Sequence, residues 1–183
     1  MMNSKSVLAF VAALLATNSA VALSSQVAGA NPAIKAMANG MSLLKPAFVA
    51  EAKIQASLLG GQVDSEEVAQ EIASEVQADK IVIYTYGLSP FSTEAVAILE
   101  KNGYEYNKIE LGAEWFLLGG KNSVKRVLLS EQVDNGATSL PKVFINGQCI
   151  GGCAELAEAA DSGALETMVN PPVAAKKSLF ALF

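Results

Sequence analysis

Apolar and polar positions follow changing rhythms along this chain, and each change marks an element. From Ala47 to Leu59, Phe48, Ile54, Leu58 and Leu59 fall roughly on one side of a helical projection and Glu51, Lys53 and Gln55 on another, before Gly60-Gly61 supplies a stop. This spacing fits either a short amphipathic helix docked on a domain or partner, or a linker. Asp64 or Ser65 caps a second helix, Glu66 and Glu67 suit the dipole of its first turn, and Val68, Ile72 and Val76 form its apolar stripe. The β-branched run Ile81-Val82-Ile83-Tyr84-Thr85-Tyr86 then reads as a strand, followed by a short loop and a helix opened by Pro90, where a missing N–H costs nothing. Val96, Ile98 and Leu99 continue that helix until Asn102-Gly103, and Tyr104 to Leu111 forms another strand. Strand, helix and strand in this order predict a crossover between two parallel strands.

Trp115-Phe116-Leu117-Leu118 is an unbroken apolar run, either a partner surface or core packed under the next helix. That helix is expected from Ser123 to Gln132, with Lys121, Lys125 and Arg126 toward its start giving a basic side that faces an anionic ligand or water. Asn146-Gly147 between the apolar runs of Lys142-Val143-Phe144-Ile145 and Gln148-Cys149-Ile150 is a hairpin signal. Gly151-Gly152 lets the backbone come close before a last helix from about Cys153 to Ala160. Gly163 and then Asn170-Pro171-Pro172 close the domain.

Charge divides the chain. Of 183 residues with a net charge of −5, no acid precedes Glu51, whereas Lys5, Lys35 and Lys45 lie before it. Lys5, the apolar run from Val7 to Ala16 and Ala20-Val21-Ala22 read as a signal peptide over residues 1–22; the run is short of the ~20 residues that a spanning helix needs, so no transmembrane helix is expected in the mature chain. Residues 23–50 have the composition of a transit peptide or linker. Together they resemble the bipartite leader of plastid proteins in algae with secondary plastids, with an extracellular or endomembrane lumen as the alternative destination. The remaining organisation is an amphipathic linker or short helix over 51–62, a domain over 63–170 and a tail over 171–183 whose Lys176, Lys177, Leu179, Phe180, Leu182 and Phe183 either fray or dock.

The absence of histidine removes Ser-His hydrolysis and histidine-based zinc sites, and two cysteines are too few for a cluster held by this chain alone, so no metal is expected. Nothing in the charge balance suggests nucleic acid.

Two separated blocks, Tyr86-Gly87-Leu88-Ser89-Pro90-Phe91-Ser92 and Ser139-Leu140-Pro141-Lys142-Val143-Phe144-Ile145-Asn146-Gly147 with Gly151-Gly152, resemble the glutaredoxin family over roughly residues 64 to 169. The resemblance implies an α/β thioredoxin/glutaredoxin-like fold, a central mixed four-stranded sheet flanked by helices, with Pro141 cis. It also implies a glutathione groove formed by Tyr86, Ser89, Phe91, Leu140, Pro141, Gly151, Gly152 and Cys153, in which Leu140 offers its backbone and the Gly152-Cys153 helix start receives a carboxylate. Serine stands at both positions of the usual Cys-Pro-Tyr/Phe-Cys motif, so Ser89 and Ser92 are vestigial for thiol exchange. Tyr86 stands where the family usually has a lysine, and Ala154 where a hydroxyl or carboxylate meets the ligand amine. Two functions compete. One is a non-catalytic protein-binding or assembly module using Trp115, Phe116, the extensions or the groove. The other is a glutathione-dependent thiol-disulfide oxidoreductase or sensor working through Cys153, whose place at a helix start predicts a lowered pKa. Cys149 and Cys153 are otherwise ordinary thiols or a disulfide pair.

Overall fold

A strand with apolar side chains on both faces has to be covered twice, and β1 (Ile81–Tyr86) is buried at every position. Ile81 and Ile83 enter one core, while Val82, Tyr84 and Tyr86 enter the other. The computed structural model describes Pro32, residues 45–114 and residues 118–172. Residues 1–22, most of the 23–50 segment, Trp115 with Phe116, and the tail from Val173 onward lie outside the described residues.

With β2 (Asn107–Gly112), β3 (Lys142–Ile145) and β4 (Gln148–Gly151), β1 forms one sheet of order β2-β1-β3-β4. β1 and β2 are parallel, β1 and β3 antiparallel, and β3 and β4 antiparallel. The described helices are α1 (Lys45–Leu59), α2 (Ser65–Glu75), α3 (Pro90–Lys101), α4 (Gly120–Ser130), α5 (Cys153–Asp161) and α6 (Ala164–Val169). Leu99 of α3, Leu156 of α5 and Leu165 of α6 close over Ile83 and Val143; Val68 and Ile72 of α2 and Leu129 of α4 close over Tyr84 and Phe144. This is the mixed four-stranded α/β architecture that the sequence predicts. Its turns obey their local chemistry. Asp64 Oδ1 accepts the N–H groups of Glu66 at 2.8 Å and Glu67 at 3.3 Å, and Asn146 and Gly147 both take positive φ, 49° and 80°, as a two-residue hairpin requires.

The departures are equally instructive. α1 begins at Lys45, inside the segment expected to be transit-like, and it lies the other way up. Ile54 and Leu58, expected to dock, are 60% and 77% exposed, while Ala52 is buried and Glu51 and Gln55 face α4. The reason is Arg126, buried on α4, whose Nη1 donates to Glu51 at 2.9 Å. The basic side of α4 is therefore answered by carboxylates of this chain at its two inner positions. Lys125 is buried between Glu71 at 3.0 Å and Glu75 at 2.8 Å, and Lys121 pairs with Glu71 at the surface. β2 starts three residues later than expected because Tyr104 and Tyr106 pack against the core edge and donate their hydroxyls to Glu166 and Glu100. α6 is a separate helix that the sequence pattern does not predict; Gly163, at φ 75°, ends the preceding turn and restarts the chain.

Candidate functional site

The turn before α3 is held by its own serines. Ser89 is the N-cap, and its Oγ accepts the Ser92 N–H at 3.3 Å; Ser92 Oγ in turn accepts the Tyr86 N–H at 3.1 Å. Both serines are buried. Their hydroxyls thus satisfy backbone donors that a helix start leaves open, which is a structural task.

Beside this turn lies a cleft of about 530 Å³. Phe91 lines it from the start of α3, Leu140-Pro141-Lys142 from the approach to β3, Cys149 to Gly152 from β4, and Cys153 to Glu155 from α5. The remaining wall is the 132–139 loop with Lys45 and Phe48 of α1. The Leu140–Pro141 peptide is cis, as expected. Phe91, Leu140, Pro141, Gly151, Gly152 and Cys153 are thereby brought together. Ser89 and Tyr86 fall outside the lining. Tyr86 follows the alternation of β1 into the core under α2 and α4, where burial pushes its pKa up and its hydroxyl finds no hydrogen-bond partner among the described residues. Trp115 and Phe116 lie outside the described residues.

Cys153 corrects a second expectation. The residue is 6% exposed, and burial, reinforced by the nearby charges of Glu94 and Glu155, pushes its thiol pKa up to about 12 instead of down. The helix-start argument fails because the side chain packs inward among Leu156, Ala157 and Ile83. Cys149 is also raised by burial, and both cysteines are free. The start of α5 is partly closed as well: the Gly152 N–H donates to Glu155 Oε2 at 2.8 Å, placing a protein carboxylate where a ligand carboxylate was expected. Among the described residues no group of three or more His, Cys, Asp or Glu side chains converges on a metal site.

No family model matches the sequence. A probable glutaredoxin of Synechocystis sp. is 31% identical over 91 residues, half of this chain and 93% of that protein. The chain belongs to the glutaredoxin family. Human glutaredoxin-1 is 30% identical over 104 residues, covering 56% of this chain and 94% of that one. Among solved structures, oxidised glutaredoxin 2 from Chlamydomonas reinhardtii superposes with a TM-score of 0.50 at 28% identity, over 58% of this chain and 94% of its own. Within this glutaredoxin the sequence reading missed Lys45, Phe48, Lys142 and Cys149 as cleft residues. Lys142 carried a signal: two positions before Phe144 on a strand, it shares the inward face of that side chain.

Lys142 is 3% exposed, and burial lowers its amine to a pKa of about 8, with Arg126 and Lys45 pushing the same way against Cys149 and Glu155. A lysine that charges near pH 8 when folded and near 10.5 when unfolded binds fewer protons in the folded state between those values, so its contribution to stability rises with pH there. The glutaredoxin carrying Lys142→Met is expected to be more stable than wild type at neutral pH by about 3 kcal/mol, the gap closing as pH rises through that window. Paired urea melts across the range measure the difference directly; a gap independent of pH would refute it.

Proposed function

We propose that this protein is a glutaredoxin-fold binding module without thiol-disulfide exchange, using its cleft to hold glutathione and its outer surfaces to meet another protein. The observation that carries this reading is the turn itself: where exchange needs a thiolate, both hydroxyls are consumed as acceptors of backbone N–H groups. The buried, raised thiol of Cys153 counts against the alternative of an oxidoreductase or sensor acting through it. For glutathione, the support is the cis-proline segment and the Gly151-Gly152 turn side by side in the wall of a cleft of about 530 Å³, and the buckwheat glutaredoxin of similar fold was solved in complex with glutathione. Against the family's usual ligand contacts stand Tyr86, turned into the core, and the Gly152 N–H already bonded to Glu155. Those residues do not fit the expected carboxylate contacts, so a bound tripeptide needs other anchors.

For a protein partner, the support is the apolar outer side of α1, Ile54, Leu58 and Leu59, together with exposed Leu88. We also propose the bipartite leader toward a plastid, with cleavage before Lys45, because a cut beyond that point would remove a wall of the cleft. No helix among the described residues is long and apolar enough to cross a membrane.

The test is turnover of a mixed disulfide of glutathione and mercaptoethanol. The purified protein is expected to leave the rate at the protein-free background, and oxidised glutathione is expected to leave no adduct on Cys153 unless the chain is first denatured. Turnover above background that disappears in Cys153→Ser would reverse the order of the two readings.

A further inference from the structure

Among the described residues two lysines are buried, and they are treated differently. Lys125 is clasped by two carboxylates, from Glu71 and Glu75. Lys142 has no carboxylate within ion-pair distance among the described residues, and its amine donates to the Ser139 carbonyl at the cleft wall. A buried ammonium without a counter-charge is costly, and a small anion entering the cleft would supply one. A second cation approaches from outside the sheet: Lys45 of α1 lines the same cleft. Arg126 also acts on Lys142, but its own charge is answered by Glu51.

We infer that Lys142 and Lys45 together form a carboxylate-binding site in the cleft, and that a ligand is anchored there and not at the start of α5. The inference rests on the cleft being a ligand site, as proposed above, and adds the group it recognises. The start of α5 is a poor alternative, because its Gly152 N–H is bonded to Glu155, whose charge repels an anion, and Ala154 offers no side-chain donor. A carboxylate suits the charge balance better than a phosphate dianion. Lys142 and Lys45 share the lining with Asp134 and Glu155, so a carboxylate leaves one negative charge in excess and a phosphate dianion two. Phe48, Phe91, Leu140 and Ile150 supply apolar wall for the rest of the molecule. Glutathione, with two carboxylates and one ammonium, is one source of that group; a small aryl or alkyl acid is the other.

The site makes a proton-linked prediction. The groups facing Lys142 are Lys45 from α1, Arg126 from α4, Cys149 from β4 and Glu155 from α5, so an added carboxylate would be its nearest full counter-charge and draw the amine to its charged form. Calorimetric titration of the full chain at pH 8 or just above, with glutathione and separately with hydrocinnamate, in buffers of different ionisation enthalpy, reads affinity and protons taken up together. At least one acid is expected to bind with uptake of part of a proton. Lys142→Met should weaken it about tenfold or more, and Lys45→Gln should weaken it by a smaller factor. Binding of glutathione alone assigns the tripeptide; binding of hydrocinnamate assigns the carboxylate with an apolar body. A second measurement needs no variant: the bound acid should slow acylation of Lys142 by an activated acetate ester, read by peptide mass spectrometry. Binding without proton uptake, without protection of Lys142 and with unchanged affinity in Lys142→Met would overturn the inference and leave the ligand-binding reading standing. If neither acid binds at millimolar concentration, both fail.

Discussion

Arg126→Met is expected to lower the unfolding free energy by about 3–5 kcal/mol and to free α1 from the domain. The guanidinium is 2% exposed and divides its donors between two elements: Nε reaches the Thr138 carbonyl at 3.0 Å, Nη2 the Thr138 hydroxyl at 3.4 Å, and Nη1 reaches Glu51 at 2.9 Å and Gln55 at 3.5 Å. Methionine fills much of the volume and makes none of these bonds. It leaves the buried Thr138 carbonyl unanswered and the partly exposed Glu51 carboxylate without its partner, and the first of these is the costlier. Removing Glu51 as well separates the two costs. The double variant Glu51→Met with Arg126→Met should recover part of the loss, since neither charge is then stranded, while the share owed to Thr138 persists. Urea denaturation of wild type, both single variants and the double variant forms the cycle. A loss below about 1 kcal/mol in Arg126→Met would mean that water reaches the guanidinium and that α1 is seated by other contacts.

Ser89→Cys with Ser92→Cys is expected to create the most reactive thiol in the protein. A sulfur at position 89 would inherit the N-cap geometry, in which Ser89 already accepts the residue 92 N–H at the start of a 12-residue helix. Position 89 is as buried as Cys153, but as N-cap it accepts a backbone N–H, and such an environment brings a cysteine pKa to about 7 or below, so roughly half or more is thiolate at neutral pH. Cys153, at a pKa of about 12, is thiolate in roughly one molecule in 10⁵ at the same pH. Alkylation by iodoacetamide should therefore favour the introduced thiol over Cys153 by about four orders of magnitude, less whatever access costs either site. Competitive labelling followed by peptide mass spectrometry reads the ratio. Comparable labelling at position 89 and at Cys153 would show that the turn does not stabilise a thiolate, and the serines would then be no guide to what the turn once did.

Much of the fold was legible because its signals are local. Asp64 with Glu66 and Glu67, Pro90 after the strand, and Asn146-Gly147 each satisfy a backbone requirement within a few residues, and each appears where the pattern puts it. What sequence could not reveal was the orientation of α1. Its apolar residues Ile54 and Leu58 point outward because a single buried cation on α4 selects the polar side, a preference settled 75 residues away. The cleft divides along the same line. Its cis-proline and double-glycine walls are motif residues. Lys142, by contrast, was hidden within a motif read for its backbone. Lys45 and Phe48 belong to an element outside the resemblance altogether. Cys153 departs from its expected acidity because helix position is one of several influences on a thiol pKa, and burial, the larger one, depends on packing.

The junction of α1 with α4 leaves a record that descent should preserve. A side-chain carbon built on Gly120 would stand 2.2 Å from the Leu59 carbonyl, and one on Gly60 would stand 2.4 Å from the Ala56 carbonyl and 2.5 Å from Val124 Cγ2. Both obstructions include backbone, which cannot swing aside. Lineages that keep this helix are thereby confined to glycine at the two positions, and lineages that shed it are released from the restriction. Glycine at 60 and 120 should consequently be gained and lost together across the family tree, in step with the helix, and an ancestor reconstructed with a larger residue at 120 would have lacked this wall of the cleft.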